Sequence, residues 1–87
     1  MISPSGGTQF GGASQLFTWN AGVGATEYLL RMGSTGAGST NLYNGPDTTN
    51  TTVTVFHLPT NGETVYVRLS SLTGGLWLSN DYTFTAQ

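Results

Sequence analysis

The chain of 87 residues is expected to form one domain, with residues 1–7 as a linker or N-terminal arm and residues 8–87 as the folded unit. Charged residues make up 7%, the net charge is -2, and the only cations are two arginines, too few to follow a phosphate backbone, so no nucleic-acid partner is expected. There are 0 cysteines for a disulfide or thiolate metal site, and no apolar run approaches a membrane span, so neither a cross-link nor a membrane partner is expected.

Polarity comes instead from Thr, Ser, Asn and Gly. Thr suits strands, and Gly and Asn suit turns. Trp, Tyr, Phe, Val and Leu recur throughout, which separates the chain from disordered compositions. Such a neutral, lysine-free surface fits an extracellular, secreted or cell-surface module. Met1–Gly7 has no charged n-region and no long apolar run, so any export signal is expected outside this segment.

In chain order, Thr8–Phe10 reads as a short strand broken by Gly11 and Gly12. Ser14–Trp19 is the next strand; Trp19 is expected in the core, with Phe17 facing the other way. Asn20–Ala25 is a loop. Over Glu27–Met32, Tyr28, Leu30 and Met32 share one face, and Glu27, Leu29 and Arg31 share the other. Gly33–Thr40 is a mobile loop of small residues; it lacks the Gly-Lys-Ser/Thr ending and following helix of a phosphate cradle. Asn41–Asn44 is a short strand, and Gly45-Pro46-Asp47 is a turn in preference to a calcium site. Thr51–Phe56 faces Val53 and Val55 inward. Leu58–Gly62 turns the chain into Val65–Leu72, where Val65, Val67 and Leu69 point one way and Tyr66, Arg68 and Ser70 the other. After the Gly74-Gly75 turn, a last strand runs from Gly75 to Thr85 with a bulge or break at Ser79–Asn80. About seven short strands spaced by turns indicate an all-β, two-sheet antiparallel sandwich. Its core would hold Trp19, Tyr28, Leu30, Val53, Val55, Leu58, Val67, Leu69 and Phe84.

From Phe10 to Thr85 the chain resembles a fibronectin type III domain. Trp19 closes the second strand, Glu27-Tyr28-Leu29-Leu30-Arg31-Met32 is similar to the third strand of that family, and Leu58-Pro59 with Gly62 is similar to its Leu-x-Pro-Gly turn. Val65 stands where the family places its corner tyrosine, and Val cannot make the hydroxyl-to-backbone bond of that corner. The resemblance implies an immunoglobulin-like topology and a divergent branch of the kind that decorates bacterial secreted proteins. It supplies no catalytic residues.

Chemistry-bearing residues are few. His57 has no nucleophile-elbow partner, and a lone His without Cys makes no zinc site. Glu27, Asp47, Glu63 and Asp81 fall on different turns and strands, unlike the paired carboxylates of a glycosidase. Asn50-Thr51-Thr52 matches a glycosylation sequon and reads equally as the start of a Thr-rich strand. No enzyme activity, metal or cofactor is therefore expected.

The aromatics are more informative. If the third, sixth and seventh strands share a sheet, its wet face carries Leu29, Arg31, Tyr66, Arg68 and Trp77. Exposed rings beside Arg can stack on a polysaccharide or anchor a protein partner; alternatively, Arg stems cover the rings and solubilise the face. The expected function is a non-catalytic module that spaces or presents neighbouring domains or mediates protein contacts. The alternatives are a carbohydrate-binding module, or an assembly subunit of a phage particle or surface filament.

Overall fold

The computed structural model describes Pro4 and residues 6–87. The reading of residues 1–7 as linker therefore falls largely outside the described residues. Among the described residues six strands form, in chain order β1 (Gln15–Thr18), β2 (Ala25–Gly33), β3 (Tyr43–Asn44), β4 (Thr52–Val55), β5 (Thr64–Thr73) and β6 (Leu76–Thr85). They make two antiparallel sheets, one ordered β1-β4 and the other β3-β2-β5-β6. No helix occurs among the described residues. The architecture is all-β and sandwich-like.

Alternation along the strands decides what is buried. On β2, Tyr28, Leu30 and Met32 face the core; on β5, Val65, Val67 and Leu69 do so; on β6, Phe84 does so. Trp19, Val55 and Leu58 are also buried, while Val53 is only partly buried and packs against the cluster from its rim. Trp19 and Tyr28 rings meet at 5.8 Å.

Phe17 corrects the expectation that it faces away from Trp19. Both are buried, because residues two apart on a strand share a face. Phe17 completes an aromatic trio with Phe10 and Phe84. Phe10 stacks on Phe84 at 5.2 Å, and Phe17 meets both edge-on at 5.8 and 6.0 Å.

Seven strands were expected and six form, because Thr8–Phe10 makes only an isolated parallel bridge, Gln9 to Thr85. Glycines on either side keep it from growing. The segment is nonetheless bound: Gly7 N–H donates to Thr83 O (2.7 Å), Phe10 N–H to Thr85 O (2.8 Å), and Thr85 N–H to Thr8 O (3.0 Å). We call residues 7–10 the arm.

The expected break at Ser79–Asn80 is also absent. β5 and β6 pair without a register shift from Thr64 opposite Thr85 to Thr73 opposite Leu76. Ser79 Oγ lies 2.9 Å from Ser70 Oγ across the ladder, so the polar pair continues the strand rather than interrupting it. The irregularity in this sheet lies instead between Ala25 and Glu27. Gly74 and Gly75, with φ of 58° and 80°, close the hairpin in the left-handed conformation that a tight two-residue turn requires.

β5 and β6 are each 10 residues long, whereas β1 and β4 have 4 each. The short sheet covers only the base of the hairpin. The rest projects beyond it, and the molecule measures 39 × 21 × 20 Å.

Candidate functional site: the outer sheet face and the hairpin tip

The register of β2, β5 and β6 assembles the expected wet face in four rows. Glu27, Leu72 and Trp77 form the first, then Leu29, Ser70 and Ser79, then Arg31, Arg68 and Asp81, and last Gly33, Tyr66 and Thr83. Leu29, Arg31, Tyr66, Arg68 and Trp77 therefore share one face of one sheet. The unbroken β6 ladder is what carries Trp77 to that side.

They do not form one binding platform. Tyr66 and Trp77 stand three rows apart, roughly 20 Å along the strands at about 3.3 Å per residue. Between them lies an ion pair: Arg68 Nε donates to Asp81 Oδ1 at 2.7 Å, and Arg68 Nη2 to Asp81 Oδ2 at 3.1 Å. This two-pronged contact points the guanidinium at a carboxylate rather than at a ring. The pairing holds the Asp81 carboxyl below its ordinary range, chiefly through the hydrogen bonds, and raises Arg68 by the same contact.

The loop after β2 closes over the same arginine. A Cβ placed on Gly38 would sit 2.8 Å from Arg68 Nη1. Asn41 ties this loop to its start, accepting from Ser34 N–H at 2.9 Å and donating to Ser34 Oγ at 2.8 Å. Ser39 Oγ donates to Gly36 O at 2.7 Å. Gly33 lies so close to Ser39 that any Cβ there would collide with the serine side chain. Arg31 stands directly opposite Arg68, and its Nε is buried without a hydrogen-bond partner.

The feature that sequence reasoning missed is the overhanging tip of the hairpin. Leu76, Trp77 and Leu78 are 68%, 42% and 54% exposed on consecutive positions of an edge strand. Leu76 and Leu78 continue the inward-facing row of Phe84, and Trp77 continues the outward row, so apolar surface shows on both sides of the tip. The available signal was length: the last two strands outrun every partner in the opposite sheet.

The remaining polar groups do not converge. His57 is exposed and holds a φ of 61°. Glu63 is engaged with Asn61, whose Nδ2 donates to Glu63 Oε2 at 3.1 Å. Among the described residues, no group of three or more His, Cys, Asp or Glu is close enough to hold a metal ion. Two cavities of about 140 and 170 Å³ flank Trp19. The first is walled mainly by Leu30, Tyr43, Pro46 and Val53, the second by Tyr28, Leu69, Asn80 and Tyr82. No carboxylate, His or Arg lines either among the described residues, although Trp19 Nε1 is buried beside them without a partner.

No family model matches the chain, and no curated protein matches it.

Proposed function

We propose that the protein is a non-catalytic, extracellular accessory module of fibronectin type III type, which makes protein contacts through the tip of its β5–β6 hairpin while spacing or presenting neighbouring domains. The strand order β1-β4 facing β3-β2-β5-β6 supports the type III reading, with the arm residues 7–10 taking the place of a first strand. The observation that carries the contact function is the overhang, which holds Leu76, Trp77 and Leu78 in solvent on a rigid ladder. Large apolar side chains kept exposed together mark interaction surfaces. The distance between Tyr66 and Trp77 favours a protein partner over a sugar platform, because stacking on one glycan segment needs neighbouring rings.

A photoreactive phenylalanine analogue at position 77 of the full chain, in the cells that produce it, tests this reading. Discrete protein adducts are expected. Absence of any adduct, or polysaccharide binding that Trp77→Ala abolishes, overturns it.

A further inference from the structure

The third row of the outer face crosses all four strands of the larger sheet: Asn44 on β3, Arg31 on β2, Arg68 on β5 and Asp81 on β6. It holds both cations of the chain and one anion. Arg68 directs Nε and Nη2 at Asp81. Arg31 has no such partner. Among the described residues Arg68–Asp81 is the one ion pair, and Arg31 Nε is buried without an acceptor. The chain's own carboxylates cannot supply one. Glu27, Asp47, Glu63, Asp81 and the terminal residue Gln87 are all described, whereas Met1, Ile2, Ser3 and Ser5 carry no acidic side chain. Glu27, on the same strand and face, stands four residues from Arg31, roughly 13 Å along β2. Glu63 is engaged by Asn61. Two like charges directly opposite on a ladder repel, and Asp81 offsets only one of them.

We propose that Arg31 is the docking point for a carboxylate of a partner protein, an aspartate or glutamate side chain seated on the outer sheet face. The site is separate from the hairpin tip and does not depend on it. Charge, shape and setting each favour this ligand. Two cations and one anion leave the row a single positive charge, which matches a singly charged carboxylate better than a phosphate group with its nearly two. The guanidinium presents its donors in a planar fork that fits the two oxygens of a carboxylate, as Arg68 shows with Asp81 at 2.7 and 3.1 Å. Asn44, exposed on the other side of Arg31, adds an amide donor without changing the charge. The setting is a strand face, and neither cavity beside Trp19 includes Arg31. A free anion there would keep most of its water. An acidic side chain carried by a protein surface is held by neighbouring contacts as well, beginning with half-buried Leu29 in the adjacent row.

The test uses the nitrogen–proton correlation spectrum of the isotope-labelled full chain, in which two arginines give two Nε–H signals. Arg31→Lys assigns them. At fixed ionic strength, acetyl-glutamate amide is expected to shift the Arg31 signal saturably. Its neutral isostere, acetyl-glutamine amide, is expected to leave it in place. Arg31→Gln is expected to weaken glutamate binding by about tenfold or more, read on the backbone signal of Asn44. Its melting temperature should stay at or above wild type, because no bond within the chain is lost and the repulsion from Arg68 is removed. Arg31→Lys keeps the charge without the fork and should bind more weakly than wild type. The proposal is overturned if the Arg31 signal does not shift saturably, or if Arg31→Gln binds the glutamate amide as wild type does. Tighter binding of inorganic phosphate than of the glutamate amide also overturns it. None of these results alters the outcome of the position-77 adducts, which test the tip alone.

Discussion

The two ends of one hairpin behave differently although they carry the same pattern. At its base, Val65, Val67 and Phe84 alternate inward and are buried against Phe10, Phe17 and Val55. At its tip, Leu76 and Leu78 lie in the same inward row and are exposed. The ladder is continuous between them, so backbone pairing does not distinguish the ends. What differs is the opposite layer, which the short β1 and β4 supply only at the base. Alternation specifies which side of a strand is apolar; the length of the facing sheet determines whether that side is covered.

The sharpest way to break this comparison is a pair of truncations. Phe17→Ala removes a ring from the base and leaves a cavity between Phe10 and Phe84, so urea unfolding should show a loss of about 3–5 kcal/mol. Leu78→Ala at the tip should cost within about 0.5 kcal/mol in dilute monomer. Equal costs would mean that the tip is packed like the base. The next effect concerns the loop closed by Asn41. Gly33→Ala drives a methyl group into Ser39, and thermal melts should show a destabilisation of about 1–3 kcal/mol.

The turn itself gives a gain instead of a loss. Gly74 has a φ of 58°, which Asn adopts readily, and a Cβ there meets nothing within 4 Å. Gly74→Asn should stabilise the hairpin by about 0.4–1 kcal/mol, measured by urea midpoint.

The smallest effect is electrostatic. Asp81 is held below its ordinary value of 3.8 in the folded state, so its contribution is complete above that value and fades as pH falls through the lower folded one. The melting-temperature difference between wild type and Asp81→Asn should accordingly be small at neutral pH and vanish in acid. A difference that does not shrink as the pH is lowered below 3.8 would separate the ion pair from the effect.

Much of this was legible in the chain. The β5 alternation shows in Val65-Tyr66-Val67-Arg68-Leu69, and counting parity back from Phe84 puts Trp77 on the outer face. Two errors have simple physical origins. Phe17 and Trp19 are two residues apart, a spacing that shares a face, and reading them as opposed hid one member of the aromatic trio. Ser79-Asn80 reads as a break because polar residues interrupt an apolar run. In the structure Ser79 meets Ser70 across the ladder, and Asn80 stands opposite Leu69 where the covering sheet ends. The extent of that sheet is a non-local quantity. Leu76 and Leu78 look the same as Val65 and Val67 until the partner layer is in place. Phe10 escaped for a related reason: its burial follows from three backbone bonds to β6, which no local pattern announces.

The arm sets how the fold would respond to a pull. Residues 7–10 run parallel to β6, and their backbone bonds lie across the direction of both strands. A pull transmitted in opposite directions along arm and β6 loads those bonds side by side, in shear, and they must give way together instead of peeling one at a time. Phe10, wedged beneath Phe84, must be dragged out in the same event. The resistance of the fold to such a pull would be set by this clamp, at the point where the two segments run alongside each other.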